Sequence, residues 1–586
     1  MEEKFYTAEK SQQIVISLLK AHGIKKVIAS PGTTNYTLVA SMQQDPWFEM
    51  YSSVDERSAA YLACGMACES GEPVVITCTG ATASRNYMPG LTEAFYRKLP
   101  VLAITASQGD AKIGHHIAQV IDRRVHPNDL VKLSVSVPIC KDSTDEWSAV
   151  VKVNEAILEL TRDGGGPVHI NLDTNYSRDF SIKELPPVRV IKRYTIHDKM
   201  PSLPKGRIGI FVGAHPKMSD ALSNAIDGFC QHTGAVVFCD HTSGYYGKYR
   251  VDYSLVCSQD KYFSELKDLS LLIHIGEVSG EYYGLGRLSP KNEWRVNPDG
   301  KLRDRWHKLT SIFEMNEEDF FSHYLSVDYT DNNSILQDYI KECDEFYSNI
   351  PELPFSNIWI ASQLADLIPS NSCIHFGILG SLRAWNFFRL PKGVESSSNV
   401  GGFGIDGGVS TLIGASLVNS SKLYFGVFGD LAFFYDMNSL GNRHIANNLR
   451  IMLVNNGKGA EFRLYWHPAA AFKEDADAFM AAGGHFGNKS ANLVKHYAED
   501  LGFEYISASS KEEFTNVYSR FVNPELTAKP ILFEVFTNSS EENEALFTIR
   551  NMAENSAYKK QQIKNSIIKF VGPKLIKTVK KITTVQ

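Results

Sequence analysis

The sequence predicts an α/β protein made of three consecutive domains, each with an open parallel sheet. Short apolar segments of strand length alternate with helical patterns along the chain, which is typical of βαβ units and parallel sheets. The 586 residues are enough for three domains of ordinary size. The hydrophobic fraction of 43% and the charged fraction of 22% are those of an ordinary globular protein.

The predicted domains cover residues 1–185, 206–350 and 355–545. In the first domain, apolar strands are expected at 26–29, 73–78, 100–106 and 167–172. In the second they are expected at 208–212, 235–238 and 271–275, and in the third at 372–376, 422–428, 450–454 and 530–536. The proline-rich, charged stretch 183–205 is predicted to be a linker, and residues 551–586 form a separate basic tail.

The most informative motif lies in the third domain, where two predicted strands end in polar residues. One strand runs into Gly429-Asp430, and a later one ends in Asn455-Asn456-Gly457. In open α/β sheets, ligands bind at the carboxyl ends of the strands. Carboxylate, amide and carbonyl oxygens suit Mg²⁺ or Ca²⁺, and the glycines let phosphate groups approach the backbone. The motif therefore predicts a diphosphate held by a metal ion.

This arrangement resembles the diphosphate-binding signature of thiamine diphosphate (ThDP) enzymes. Such enzymes also need a carboxyl group beside the pyrimidine ring of the cofactor, and Glu56 follows a strand at the start of a small-residue helix. Taken alone, Glu56 is better explained as an acidic first-turn residue that complements the helix dipole. Together with the motif in the third domain, Glu56 is predicted to be the catalytic glutamate. Thr79, Gly80 and Asn86 resemble the segment that contacts the pyrimidine ring.

The three predicted domains match the order found in ThDP decarboxylases and carboligases, which is pyrimidine-binding, central and diphosphate-binding. In that family the catalytic carboxylate and the metal site meet across a subunit interface. The resemblance therefore implies a homodimer or a homotetramer.

Over about residues 8–540 the chain most closely resembles the succinyl-enolpyruvyl-hydroxycyclohexene-carboxylate synthases of menaquinone biosynthesis. The motifs that carry the resemblance are Ser30-Pro31-Gly32, Asp55-Glu56-Arg57, Gly404-Ile405-Asp406-Gly407, Gly429-Asp430-Leu431, the run 435–440, the segment 454–457 with Phe462, and the central segment 293–300 with Arg303. In place of Gly429-Asp430-Leu431, a generic decarboxylase would have Gly-Asp-Gly.

The resemblance implies a cofactor site in the third domain. Asp430, Asn456 and the backbone carbonyl of Lys458 would bind Mg²⁺, for which Ca²⁺ or Mn²⁺ can substitute. The residues that would face the diphosphate are Gly429, Leu431 and Ala432.

The resemblance also implies roles in the substrate pocket. Ile405 would be the apolar wedge beneath the cofactor, with a plain core position as the alternative. Gln119 would lie near the reacting carbon, and Phe462 would cap the pocket. Arg383 would bind a substrate carboxylate, unless it is an ordinary surface arginine.

Several basic residues of that family are replaced in this chain. The replacements are Thr34 for an arginine, Ser107-Gln108 for Asp-Arg, Val400 for an arginine, Glu281-Tyr282 for Lys-Arg, and Glu461 for an apolar residue. Losing one charge-assisted contact costs about 1.5–3 kcal/mol, so isochorismate and 2-oxoglutarate, with four carboxylates between them, would bind poorly. The remaining pocket side chains are neutral and suit a sugar or another polyol: Thr33, Thr34, Asn35, Ser107 and Gln108.

The sequence therefore predicts a ThDP-dependent 2-oxo acid decarboxylase or carboligase whose acceptor is not isochorismate. The family resemblance favours the carboligase. Two alternatives stay open: a true menaquinone-pathway synthase that joins 2-oxoglutarate to isochorismate, and a non-catalytic binding protein with the ThDP-enzyme fold. No convincing GxGxxG motif between a strand and a helix supports a nicotinamide cofactor.

Composition indicates where the protein works. The net charge of −6 argues against a nucleic-acid partner. Nine cysteines without CxxC pairs favour a reducing compartment. The polar, acidic N-terminus does not resemble a signal peptide, and no apolar run approaches the ~18 residues of a membrane span. A cytoplasmic protein is expected.

The basic C-terminal tail is the exception to this composition. Between residues 559 and 581 it has eight lysines and no acidic residue, with apolar residues interleaved. This pattern predicts either peripheral contact with an anionic membrane, such as the inner membrane face, or a helix that packs on its own dimer.

Overall fold

The computed structural model describes residues 5–329, 334–485, 490–556 and 558–559. They form two compact units. The first unit contains the described residues up to Asp198 together with Asp299–Glu314, and the second contains Lys199–Pro298 and the described residues from Met315 onward. Most of the basic tail, residues 557 and 560–586, lies outside the described residues, so its two interpretations stay predictions. The boundaries of the three predicted domains also stay predictions.

Nineteen strands form in the described residues. In the first half of the chain they are β1 Lys26–Ala29, β2 Glu49–Ser52, β3 Val74–Thr79, β4 Val101–Ser107, β5 Leu133–Val137, β6 Val168–Asp173, β7 Lys192–Thr195, β8 Ile208–Val212, β9 Val236–Phe238 and β10 Arg250–Val251. The remaining strands are β11 Asp268–Ile275, β12 Ser289–Val296, β13 Leu309–Glu314, β14 Ser372–Phe376, β15 Glu395–Ser398, β16 Leu423–Gly429, β17 Leu449–Asn455, β18 Glu504–Ala508 and β19 Ile531–Phe536.

The described residues also form seventeen α-helices. Six belong to the first unit: α1 Lys10–Ala21, α2 Tyr36–Gln43, α3 Glu56–Ser70, α4 Thr82–Asn86, α5 Met88–Tyr96 and α6 Ser143–Glu159. The second unit has α7 Asp220–Thr233, α8 Ser254–Cys257, α9 Glu317–Leu325, α10 Leu336–Ser348, α11 Asn357–Leu364, α12 Gly380–Trp385, α13 Gly408–Ser416, α14 Asp430–Asp436, α15 Leu493–Asp500, α16 Lys511–Phe521 and α17 Ser539–Arg550. None of these helices is both long and apolar enough to cross a membrane.

The first unit is built on a six-stranded parallel sheet in the order β2-β1-β3-β4-β6-β5. The four strands predicted from the sequence are its four central strands, and their predicted ends are within one or two residues. The two strands that the apolar pattern did not predict, β2 and β5, lie at the sheet edges. The segment β2 is the strand that the ThDP-enzyme context places before Glu56. Because three of the four residues of β2 are exposed, β2 lacks the apolar signal of a buried strand.

The second unit contains a second parallel sheet that follows β10-β9-β8-β11-β12 and a third that follows β15-β14-β16-β17-β19-β18. All the pairings within them are parallel. The predicted α/β fold with parallel sheets is therefore confirmed.

The predicted linker at 183–205 contains a short strand, β7, which pairs with β13 inside the first unit. The charged residues that suggested a linker are used in this packing. Arg193 forms ion pairs with Glu159 and with Glu314, so its charge is compensated where the strand is partly buried.

Packing of small residues fixes the helix that carries Glu56. The inner face of α3 is lined by alanines that are buried against β3 and α5. A Cβ atom added to Gly90 in α5 would lie 2.5 Å from the Cβ of Ala60, so the two helices touch closely. The small-residue helix seen in the sequence is thus a close-packing surface that holds the start of α3 near the carboxyl ends of the strands.

Candidate active site

The first unit places Glu56 at the N-terminus of α3, where a neighbouring residue performs the capping role. The carboxylate of Asp55 accepts hydrogen bonds from the amides of Arg57 and Ser58, which makes Asp55 the N-cap. The side chain of Glu56 is half-buried, and its Oε2 lies 3.4 Å from Nδ2 of Asn86. The structure therefore brings together Glu56 and Asn86 and leaves the Glu56 carboxylate outside the cap.

The loop after β3 is held in a narrow space. A Cβ atom on Gly80 would lie 2.4 Å from the carbonyl oxygen of Ala106 and 2.8 Å from Nη2 of Arg123, so this position requires glycine. Thr34 is 0% exposed, and its hydroxyl is hydrogen-bonded to the carbonyl of Ala106 and to the hydroxyl of Thr79. It also accepts a hydrogen bond from the amide of Gly80. Thr34 is thus a buried support for this loop.

The other predicted pocket residues of the first unit follow the strand ends. Thr33 is exposed in the loop after β1, and Ser107 ends β4. Gln108 donates to the carbonyl of Ala118 and accepts from Nζ of Lys112 at 3.1 Å. Gln119 is exposed and adopts a left-handed backbone conformation with φ of 64°. Their side chains supply neutral amide and hydroxyl groups.

Arg123 is a buried arginine that no sequence motif distinguished. It is 6% exposed, and its guanidinium donates to the side chains of Thr105 and Asn171, which are both neutral. Burial lowers the pKa of Arg123 from its usual value. Its neighbours Asp122 and Arg124 are exposed, so an Asp-Arg-Arg segment resembles an ordinary charged loop in the sequence.

The second unit contains a pocket at the carboxyl ends of β16 and β17. It gathers nine of the residues selected from the sequence: Arg383, Ile405, Gly429, Asp430, Leu431, Ala432, Asn456, Lys458 and Phe462. These residues are spread over 80 positions of sequence and come together because β16 and β17 are adjacent parallel strands.

Asp430 begins α14 directly after β16 and is 4% exposed. Its Oδ1 accepts the amide hydrogen of Leu431 at 2.7 Å, while its Oδ2 is buried without a hydrogen-bond partner. Burial raises the pKa of Asp430 to about 6, although the backbone amides of Leu431, Gly457, Lys458 and Asn456 oppose this rise. A buried carboxylate oxygen without a partner is costly unless it binds a cation.

The two asparagines at the end of β17 have different surroundings. Asn455 is buried and donates to Glu534, so it is part of the core. Asn456 lines the pocket, and its Oδ1 accepts from the amide of Lys458 at 3.4 Å. The oxygen donors that the two strand-end motifs bring to the pocket are thus one carboxylate, one amide and the nearby carbonyls, which fit a hard divalent cation. The described residues contain no group of three or more His, Cys, Asp and Glu side chains that could hold a metal, so such a site would depend on neutral oxygens.

Arg383 lies in the same pocket and is tied to Glu461. Nη1 of Arg383 is 2.7 Å from Oε2 of Glu461, and Nη2 is 3.4 Å from Oε1. The guanidinium also lies 4.5 Å from the ring centroids of Tyr283 and Trp466. Arg383 is 5% exposed, so it is not a surface helix arginine. The pairing could not be read from the sequence because the two residues are 78 positions apart.

Glu281, which stands where the resemblance places a lysine, is fully buried in the second unit. It accepts hydrogen bonds from Nδ2 of Asn386 at 3.1 Å and from the amide of Gly284 at 2.9 Å. Burial raises its pKa to about 7, and the carboxylate of Asp240 adds to this rise, whereas Arg383 opposes it. This part of the unit therefore carries an acid in place of a base.

Glu542 is a pocket residue that sequence reasoning missed. It accepts the backbone amide hydrogen of Asn357 at 3.0 Å and the hydroxyl hydrogen of Thr537 at 2.8 Å. Burial raises the pKa of Glu542 to about 7. In the sequence it stands in the first turn of a helix, where acidic residues are common for reasons of the helix dipole.

Comparisons with known proteins agree with these features. The N-terminal TPP-binding domain of thiamine pyrophosphate enzymes matches residues 10–125. The 2-succinyl-5-enolpyruvyl-6-hydroxy-3-cyclohexene-1-carboxylate synthase of Bacteroides fragilis is 32% identical over 561 residues, which cover 92% of this chain and 98% of that protein. The chain belongs to this synthase family. The synthases of Bacteroides thetaiotaomicron and Phocaeicola vulgatus are each 30% identical over 92% of this chain and over 97% and 98% of their own lengths.

Membership of the synthase family confirms several predictions. The protein is a ThDP-dependent enzyme, as the sequence predicted, and its relatives are named as synthases. The match to a TPP-binding domain also supports ThDP as the cofactor. The metal, the acceptor and the role of each site residue are not decided by family membership.

Proposed function

We propose that the protein is a ThDP- and Mg²⁺-dependent carboligase that decarboxylates a 2-oxo acid and transfers the remaining acyl group to a hydroxylated acceptor other than isochorismate. The observation that carries the cofactor assignment is the buried, unpartnered Oδ2 of Asp430 in a strand-end pocket. Bound ThDP supplies the electron sink for loss of CO₂.

The chain's own residues would hold the cofactor at two places. In the second unit, Asp430, Asn456 and the carbonyl of Lys458 would bind the metal, and the backbone of Gly429, Leu431 and Ala432 would approach the diphosphate. Ile405, which lines the same pocket, would support the rings, and Phe462 would close the pocket. Ca²⁺ or Mn²⁺ can replace Mg²⁺ because the donors are oxygens.

In the first unit, Glu56 would share a proton with the pyrimidine ring. Asp55 caps α3, which leaves the Glu56 carboxylate for this role. Thr79, Gly80 and Asn86 would contact the ring, and Gln119 would face the substrate. The narrow space around Gly80 supports a fixed position for this loop.

Large apolar side chains around the start of α3 support self-association. Tyr51, Val54, Tyr61 and Leu62 are all exposed, at 46–79% of their surfaces. Exposed apolar groups that cluster near a proposed catalytic residue are typical of an interaction surface. A homodimer or homotetramer would cover them.

The acceptor proposal is supported by the electrostatics of the residues that replace the family's bases. Thr34 is buried and engaged in hydrogen bonds, Ser107 and Gln108 are neutral, and Glu281 is an acid. A carboxylate-rich acceptor finds little compensation there, whereas hydroxyl groups can bond to amides and hydroxyls.

The second candidate is the menaquinone-pathway reaction itself, which joins 2-oxoglutarate to isochorismate. It is favoured by the names of the relatives and by Lys112 and Arg123, which bring two cations to the strand ends of the first unit.

Mass spectrometry of the products would separate the two candidates. Purified protein with ThDP and Mg²⁺ would be incubated with a panel of 2-oxo acids and either isochorismate or a set of aldose and ketose sugars. Condensation with a sugar but not with isochorismate is the expected result. Efficient formation of the isochorismate product would overturn the proposed acceptor and identify the second candidate.

A further inference from the structure

We infer that the preferred donor is a 2-oxo acid with one carboxylate and an uncharged side chain, because Glu461 neutralises the pocket arginine that would otherwise bind a second carboxylate. The inference rests on the proposed function, since it concerns the donor of that same site. It differs from what the relatives' names say, because a 2-succinyl group derives from a dicarboxylic donor.

The ion pair between Arg383 and Glu461 is buried and fixed in several directions. The shortest N–O distance is 2.7 Å, and the side chains are 6% and 18% exposed. The rings of Tyr283 and Trp466, which stack with centroids 5.1 Å apart, each lie 4.5 Å from the guanidinium carbon. The guanidinium of Arg550 also lies over the Trp466 ring, 4.1 Å from its centroid. The guanidinium therefore cannot turn away from Glu461 without losing two ring contacts.

The second cation of the pocket is engaged as well. Among the described residues that line the pocket, the basic side chains are Arg383 and Lys458. Nζ of Lys458 is 2.6 Å from Oδ2 of Asp477, whose other oxygen binds Arg463 at 2.7 Å. A second donor carboxylate would meet no uncompensated cation there.

Displacing Glu461 from Arg383 would be unfavourable. The freed carboxylate would remain partly buried in a pocket that already contains Asp430 and Glu542. Breaking a buried ion pair by removing one partner leaves an uncompensated charge, which is strongly destabilising. A dicarboxylic donor that bound beside Glu461 instead would place two carboxylates on one guanidinium.

The remaining surface of the pocket suits an uncharged donor side chain. Its apolar lining residues include Ile358, Ile378, Leu379, Leu464 and Leu546. Nε of Arg383 is buried without a hydrogen-bond partner, so it can still donate to a neutral oxygen. An apolar wall with one spare donor matches a short 2-oxo monocarboxylic acid better than 2-oxoglutarate.

The test compares donors without any acceptor, so its result does not depend on the acceptor proposal. Enzyme in excess, with ThDP and Mg²⁺, would be mixed with carboxyl-labelled pyruvate, 2-oxobutyrate or 2-oxoglutarate, and labelled CO₂ would be measured in a single turnover. In parallel, calorimetry would give dissociation constants for butyrate and glutarate, the unreactive analogues of the last two donors.

Glu461→Gln keeps the shape of the side chain and frees the charge of Arg383, and Glu461→Leu gives a second variant with an apolar residue. Both should raise the rate constant for 2-oxoglutarate and the affinity for glutarate by about 10- to 100-fold, because each restores a charge-assisted hydrogen bond. Glu474→Gln is the matched control, because Glu474 also forms an ion pair with an arginine, Arg463, but its own side chain is 82% exposed. In this variant Arg463 would retain its second ion pair, with Asp477. This control should behave like the wild type.

We expect the wild type to prefer the monocarboxylic donors by at least about tenfold, the effect of one charge-assisted contact. In the Glu461 variants this preference should be reduced or reversed. A wild-type preference for 2-oxoglutarate, or glutarate binding that neither Glu461 variant changes, would overturn the inference. Absence of CO₂ release from every 2-oxo acid would refute the proposed function, and the binding constants for glutarate and butyrate would then decide the inference by themselves.

Discussion

Replacing Gly80 with alanine tests whether the loop after β3 must lie where the structure places it. The added Cβ would be 2.4 Å from the carbonyl oxygen of Ala106, whereas ordinary contact begins at 3.4 Å. The loop would therefore have to move by about 1 Å, the difference between these two distances. Ala106 belongs to β4, a central strand that is hydrogen-bonded to β3 and to β6. The strand is therefore held in place, and it is the loop around Gly80 that must move.

The expected cost follows from that displacement. Overpacking of this kind costs about 1–3 kcal/mol of folding free energy. A 1 Å misplacement in an active site can cost about 100-fold in rate. We therefore expect Gly80→Ala to lower kcat/KM for the 2-oxo acid by about two orders of magnitude and to weaken ThDP binding, with a moderate loss of stability.

The assay combines steady-state CO₂ release, calorimetric ThDP binding and urea unfolding. Gly65→Ala is the matched control in the same unit, because a Cβ on Gly65 in α3 meets nothing within 4 Å. It should gain about 0.5–1 kcal/mol of stability and keep its activity. If Gly80→Ala binds ThDP and turns over like the wild type, the proposed position of this loop at the cofactor is wrong.

Three further substitutions test individual acidic residues. Glu56→Gln should reduce turnover by about 10²–10⁴-fold but cost no more than about 1 kcal/mol of stability, since its structural contribution is a helix-dipole effect; Asp55→Ala should instead lose about 1 kcal/mol through the missing N-cap and retain more activity. Wild-type turnover in Glu56→Gln would exclude the catalytic assignment. Burial raises the pKa of Glu281 to about 7. The native protein therefore keeps this proton at pH values where the unfolded chain has lost it. As a consequence, the contribution of Glu281 to stability declines as the pH rises from about 4.5 to 7. The unfolding free energy of the wild type, relative to Glu281→Gln, should therefore fall by about 2–3 kcal/mol between pH 5 and pH 8, and an unchanged difference in urea unfolding would contradict this.

The sequence predicted the central strands well because they are buried on both faces. In β16 and β17, continuous apolar residues end in polar ones, which marks both the strand and the ligand end. Edge strands such as β2 and β15 have exposed or half-exposed faces, so their sequences resemble loops.

The gathering of residues in the pocket was predictable where a polar residue type marks a strand end, as for Asp430 and Asn456. It was not predictable where function depends on a partner distant in sequence. Arg383 and Glu461 were each selected, but their ion pair follows from the folding of α12 against the 3₁₀ turn Ala460–Arg463. Arg123 and Glu542 were missed because their burial, not their type, distinguishes them from ordinary charged residues.

The proposed role of Asp430 is to help hold a metal-bound diphosphate. Calorimetric titration of chelator-treated protein with ThDP, with and without Mg²⁺, tests it most directly, with Asp430→Ala measured alongside. We expect ThDP binding that requires the metal and that is weakened at least about tenfold in the variant, because a charge-assisted contact is lost. Absence of ThDP binding by the wild type under any metal condition, or equal binding by Asp430→Ala, would contradict it.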